Sequence, residues 1–157
     1  ILKWEWKMKD VGGNSGLKYF VQEGRSENEK YGYGLEYQIL DDANHSWMKK
    51  GKMKPGDYYT TGAVYNLYEP SNKKLKPLGT YNQSKIVVKG NQVEHWLNGL
   101  KVVEYERGSQ AYEKRVQQSK FKNIDNFGQD EEGHILLQDH GSRVCYKNIK
   151  IKDLSHE

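Results

Sequence analysis

One cysteine, Cys145, occurs in 157 residues. A disulfide framework within the chain is therefore excluded, and so is a zinc site built from several thiolates. In "RVCYKNIKI" the thiol takes an apolar strand slot, so a buried structural role is expected rather than a nucleophile. No apolar run reaches the roughly 18 residues that a membrane helix needs. Charge of one sign is also scarce: 25 Lys and Arg stand against 21 Asp and Glu, a formal net charge of +4. The two signs are interspersed, as in "KWEWKMKD" and "VEYERGSQAYEKR". A nucleic-acid stripe needs positive residues clustered on one face, so no nucleic-acid partner is expected. Apolar residues make up only 35%, but 12 Tyr and 4 Trp are present. Aromatic side chains bury large areas each, which leaves a core for one domain over residues 1–157.

No stretch reads as a signal peptide. The chain opens on "ILKWEWKMK", already inside a strand pattern, so further N-terminal strands of the domain are expected to precede it, and the missing leader says nothing about export.

Alternation dominates what is present. "LKWEWKMK" places Leu2, Trp4, Trp6 and Met8 on one face and Lys3, Glu5, Lys7 and Lys9 on the other, a half-buried antiparallel strand. "GGNSG" (12–16) reads as a turn before a strand over 17–22. "LEYQIL" (35–40), "GAVYNLY" (62–68), "SKIVVKG" (84–90), "QVEHWL" (92–97) and "LKVVEYE" (100–106) follow, then "GHILLQDH" (133–140) and "RVCYKNIKIKDL" (143–154). Asn98-Gly99 between alternating segments is a strong hairpin signal. Residues 109–120 form the one helix candidate, with Ser109 as its cap. About nine short strands and one helix predict an all-β sandwich of two antiparallel sheets. Segments 23–34, 42–60 and 69–83 are expected to be long loops. Trp4, Trp6, Ile86, Val88, Ile135 and Ile149 sit on the apolar phase of their strands and are expected in the core.

Several blocks, in this order, carry a resemblance: "GGNSGLKYFVQ", "LEYQILDDANH", "GAVYNLYEPS", "SKIVVKGNQVEHWLNGLKVVEYE", "SKFKNIDNFGQ" and "GHILLQDHGSRVCYKNIKIKDL". Together they resemble the 3-keto-disaccharide hydrolase domain family over nearly the whole chain. The resemblance implies a concanavalin A-like jelly roll with a groove on its concave face. It also implies cleavage of 3-keto glycosides, and a place in the periplasm or at the cell surface. The alternative kept beside it is a carbohydrate-binding module of the same shape without catalysis.

The candidate site residues come from polar alternation weighed with that resemblance. In "LEYQIL", Glu36 and Gln38 share a face about 7 Å apart. In "LLQDHG", Gln138 and His140 repeat the pattern. Glu36 and His140 are the titratable members, hence the catalytic candidates; Asp139 is expected to orient a histidine or cap a loop. Asn14, in a tight glycine-flanked loop, Gln38, Asp41, Tyr65 and Gln138 are the substrate-binding candidates. Asp41, Asp42, Asn44 and His45 are expected at the rim of the groove. The oxygens of Asp41, Asp42 and Asn44 also suit a divalent cation, although no calcium-loop spacing is present.

Glu36-x-Gln38-x-x-Asp41 resembles the two-carboxylate signature of concanavalin-like glucanases but departs from it twice. A regular strand puts Glu36 and Asp41 on opposite faces, whereas paired carboxyl groups must stand roughly 5–9.5 Å apart across the bond. One base acting on a keto sugar, where the ketone acidifies C2–H, is the chemistry left for such a face.

Overall fold

The strand from Leu2 to Met8 (β1) buries Leu2, Trp4, Trp6 and Met8 as alternation dictates. The computed structural model describes residues 1–23 and 32–154. The later strands are Asn14–Gln22 (β2), Tyr33–Leu40 (β3), Asn82–Lys89 (β4), Gln92–Leu97 (β5), Leu100–Glu106 (β6), His134–Asp139 (β7) and Val144–Ile151 (β8). All pairings are antiparallel. They build a five-stranded sheet in the order β6-β5-β4-β1-β8 and a three-stranded sheet in the order β3-β2-β7. The protein is thus an all-β, jelly-roll-like sandwich. Asn98 and Gly99 both take positive φ, 49° and 84°, which fits the two-residue turn joining β5 and β6.

The core lies between the sheets. Trp4 meets Tyr37 edge to face, ring centres 5.0 Å apart, a favoured geometry for aromatic pairs. A hydrogen-bond chain crosses the same interface. Trp6 Nε1 donates to Ser84 Oγ (2.9 Å), Ser84 to the Tyr37 hydroxyl (3.0 Å), and Tyr37 to the Trp96 carbonyl (3.1 Å). His95, fully buried, faces the Gly62 carbonyl through Nδ1 and the Tyr19 hydroxyl through Nε2. A carbonyl only accepts, so Nδ1 carries the proton and Nε2 accepts from Tyr19. Burial pushes the His95 pKa down to about 4, so the ring is neutral at pH 7.

The helix from Gln110 to Gln117 (α2) is capped by Ser109, whose hydroxyl accepts from Tyr112 N at 3.1 Å. A second, four-residue helix over Ser46–Lys49 (α1), absent from the sequence reading, is capped by His45. No helix among the described residues is long and apolar enough to cross a membrane.

The structure corrects several readings. Residues 62–68 are not a strand. Positive φ at Gly62 (89°) and Asn66 (61°) bends them, and only isolated bridges form, at Tyr37–Val64 and Val64–Tyr68. Asn14 and Ser15 belong to β2 rather than to a tight turn. Trp4, Trp6 and Ile86 are buried and Val88 half-buried, but Ile135 is 44% exposed and Ile149 48%. Both lie on β7 and β8, which occupy sheet edges and lack a second neighbouring strand among the described residues. Cys145 is half-buried on the same edge strand rather than fully enclosed. The loop expected over 23–34 falls largely outside the described residues.

Candidate active site

The outward face of the three-stranded sheet is built by register. Gly16 of β2 pairs with Gln38 on β3 and with Gln138 on β7. One step along, Lys18 pairs with Glu36 and Leu136. Leu35, Tyr37 and Ile39 turn inward and are fully buried, so Glu36 and Gln38 must turn to the other side. There a groove of about 690 Å³ opens, within the range of ligand clefts.

Six of the seven candidates line this groove: Asn14, Glu36, Gln38, Tyr65, Gln138 and His140. Asp139 lines it too, but its carboxylate caps the turn by accepting from Gly141 N at 2.7 Å. Asp41 sits elsewhere. It lines a separate, smaller hollow, and its carboxylate accepts from Gly12 N (2.9 Å) and from the Asn44 amide. Asp42 accepts from Thr61 N and pairs with Lys73 at 2.6 Å. In the structure these carboxylates tie loops together, outside the lining of the groove. No group of three or more His, Cys, Asp or Glu among the described residues is placed to hold a metal ion.

Four contributors were not read from the sequence: Gly16, Lys18, Lys120 and Trp47. Gly16 matters by what it lacks. A Cβ there would lie 2.5 Å from Glu36 Oε1 and 3.1 Å from Gln138 Oε1. The bare backbone is what lets the Glu36 carboxylate and the Gln138 amide converge over the middle of the sheet. Lys18 and Lys120 bring positive charge to the groove, and the exposed Trp47 forms part of its wall. Trp47 is held edge-on by Tyr59, with centroids 5.6 Å apart.

Glu36 is 7% exposed. Burial raises its pKa to about 7, against the opposing pull of Lys18 and Lys120. Burial lowers Lys18, and partial desolvation beside the groove lowers Lys120 although most of its surface is exposed, each partly offset by the Glu36 charge. Burial and then the nearby carboxylate raise Tyr65. Tyr65 N donates to the Glu36 carbonyl at 3.0 Å, which fixes the two side chains near each other. Gln38 Nε2 donates to Asn14 Oδ1 at 3.3 Å, while the Oε1 atoms of Gln38 and Gln138 are buried without a donor among the described residues. Unmatched buried acceptors cost free energy, so this face is prepared for hydroxyl donors from outside the protein.

A buried carboxylate near neutral pKa, flanked by ammonium groups and idle amide acceptors, is a proton-transfer site for a polyhydroxylated ligand. The profile of one family, described as the 3-keto-alpha-glucoside-1,2-lyase-like domain, matches residues 1–152. The chain belongs to that family. A curated relative from Bacteroides thetaiotaomicron, named 3-keto-disaccharide hydrolase, is 33% identical over 171 aligned positions. The match covers 98% of this chain and 58% of that protein, so the chain spans little more than half the length of this relative. A solved structure from Parabacteroides distasonis, titled a "putative glycosyl hydrolase", superposes with a TM-score of 0.84 at 37% identity, over 98% of this chain and 70% of that one. A second structure from the same organism, with the same description, gives 0.69 at 27% identity, over 98% and 77%.

Proposed function

We propose that the groove binds a 3-keto glycoside and cleaves its glycosidic bond by elimination followed by hydration. The observation that carries this reading is Glu36, a buried carboxylate raised to about 7 in the centre of a face rich in hydrogen-bonding groups. The other carboxylate lining the described groove, Asp139, is exposed and engaged with Gly141 N. The opposed pair required by an ordinary glycosidase is therefore not what this face presents. One base suffices when the sugar carries a ketone at C3. The ketone acidifies C2–H, and O1 lies β to the carbonyl.

Glu36 takes the C2 proton. The C–H electron pair becomes a C2–C3 π bond, and the ketone π pair moves onto oxygen as an enolate. The enolate re-forms the carbonyl, C1–C2 becomes a double bond, and C1–O1 breaks with its pair going to O1. His140, at the end of the groove, supplies the proton to O1. Water then adds across C1–C2, hydroxyl to C1 and hydrogen to C2, for net hydrolysis. The idle oxygens of Gln38 and Gln138 receive hydroxyls of the sugar ring, and Asn14 holds Gln38 in place. The family's description as lyase-like and the relative's name as a hydrolase suit the two halves of this sequence.

The test compares a 3-keto disaccharide, the parent disaccharide and a buffer blank. Release of sugar from the keto substrate alone is expected, with Glu36→Gln costing about 10²–10⁴-fold in rate. Equal turnover by Glu36→Gln refutes the role of Glu36. Binding of both sugars without turnover by the parent chain leaves a carbohydrate-binding module.

A further inference from the structure

We propose that Lys120 is a catalytic residue of this groove, an ammonium that receives the enolate oxygen as it forms, with Lys18 as a second positive charge set beside Glu36. The inference rests on the elimination reading above and names the group that reading leaves unassigned.

The geometry begins with the carboxylate. Lys18 is the cross-strand partner of Glu36 in the β2–β3 register, and its ammonium donates to the Gly32 carbonyl on the groove wall at 3.2 Å. Lys120 comes from the segment that follows α2 and lines the same groove. Its backbone N donates to Asn66 Oδ1 at 2.9 Å, which pins the residue next to the segment that carries Tyr65. Its Nζ lies 4.3 Å from the centre of the Tyr65 ring and 5.1 Å from that of Phe121. Both rings line the groove. A ring face attracts the charge without using up the three N–H donors, so the ammonium is held in position yet ready for an oxygen acceptor.

Charge accounting then assigns the role. Before reaction the Glu36 carboxylate stands within the influence of two ammoniums, Lys18 and Lys120. Proton abstraction makes Glu36 neutral and moves the negative charge onto the substrate oxygen at C3. Nothing is created or lost; a charge is relocated by a few bond lengths. A groove ammonium that reaches the C3 oxygen gains attraction as that shift proceeds, whereas it meets only a neutral ketone in the bound ground state. Interactions stronger in the transition state than in the ground state are the ones that accelerate a step. Lys18, adjacent to Glu36 on the neighbouring strand, favours the ionised carboxylate and keeps the base usable. Among the described residues, the titratable groups that act on Glu36 or line its groove are Lys18 on β2, Tyr33 on β3, Tyr65, Lys120, Asp139, His140, and Tyr146 on β8. Glu36 and Lys120 displace each other's pKa values in opposite directions, as an interacting carboxylate and ammonium do.

The experiment separates enolisation from bond cleavage. A 1-deoxy 3-keto sugar, which lacks O1 and so has no O1 group to expel, is incubated in D₂O, and loss of the C2–H signal is followed by NMR for the parent chain, Lys120→Met and Lys120→Arg. Lys120 is exposed, so both variants are expected to keep the parent's melting midpoint. The expected result is exchange by the parent, a fall of about 10²–10³-fold in Lys120→Met, and recovery of most of it in Lys120→Arg. Cleavage of a 3-keto disaccharide should fall in parallel, in kcat rather than in KM. Exchange by Lys120→Met at the parent's rate overturns the role of Lys120 while leaving elimination standing. A parent chain that cleaves the disaccharide without exchanging C2–H overturns elimination and this inference together.

Discussion

Replacing Glu36 by Gln should stabilise the fold, by an amount that grows as pH rises from about 4.5 to about 7. The side chain is buried, and its pKa rises from an ordinary 4.5 to about 7. Burial is the cause, only partly relieved by the two lysines. A carboxyl with a raised native pKa binds its proton more tightly when folded. Its contribution to stability is therefore fully present below about pH 4.5 and is lost as pH rises through about 7. At about 1.36 kcal/mol per tenfold change in the equilibrium, the ionised form costs the native state ~3 kcal/mol at pH 8. Gln is neutral at every pH and close in shape to the protonated acid, so it avoids that cost. For a chain of this size, ~3 kcal/mol corresponds to roughly 6–12 °C in melting midpoint. Thermal unfolding of parent and Glu36→Gln at pH 4.5 and pH 8 tests the argument. The expected difference is near zero at the first pH and large in favour of the variant at the second. A variant less stable at both would show that the carboxylate is a net stabiliser in the groove, and that burial does not dominate its energetics.

Gly16→Ala should fold, because Gly16 lies in a regular strand stretch, but activity should fall with it. The new methyl meets Glu36 Oε1 at 2.5 Å and forces the carboxylate away from the centre of the face; a 3-keto substrate assay beside a melting curve checks both halves. Ser84→Ala breaks the chain that links the sheets and leaves the buried Trp6 N–H without its acceptor. A loss of ~1–3 kcal/mol is expected by denaturant unfolding. Ile86→Ala should cost ~2–5 kcal/mol, whereas Ile135→Ala, at a 44% exposed edge position, should stay within ~0.5 kcal/mol. Equal losses at the two positions would mean that the β7 edge is covered in solution.

Much of the sandwich was legible because it obeys period two. Leu2, Trp4, Trp6 and Met8 are buried in the predicted phase, and Asn98-Gly99 turns where its backbone preference says it should. Parity also brought Glu36, Gln38, Gln138 and His140 to one groove, since i, i+2 spacing needs only the strand and not its neighbours. Alternation reports a face and not what lies beyond it. It could not tell that β7 and β8 end their sheets, so Ile135 and Ile149 were misplaced. Nor does it see loop segments that return to the sheet. Lys120 and Trp47 reach the groove through long-range packing. Lys18 carried a usable signal: it shares the parity of Asn14 and Gly16, and extending the strand back to residue 14 puts all three on the groove face. Asp41 and Asp42 misled because short carboxylates in a loop suit ligand binding and loop capping equally well by composition. In the structure their hydrogen bonds run to Gly12, Thr61 and Asn44.

The groove is a place where stability and chemistry pull against each other. A carboxylate buried alone drifts toward its neutral form and stops acting as a base at pH 7. One fully solvated would be ionised but too weak a base for a carbon acid. Glu36 lies between these limits because three neighbours hold it there. Gly16 admits it to the centre of the sheet and so desolvates it. Lys18 restores part of the ionised fraction. Lys120, over the Tyr65 ring, adds to that and stands where the charge would go next. Changing Gly16, Lys18 or Lys120 should shift the balance in different directions. Gly16 controls where the carboxylate sits, Lys18 chiefly its ionisation, and Lys120 both its ionisation and the fate of the charge it releases. That difference makes the three positions separable by experiment, although they surround a single side chain.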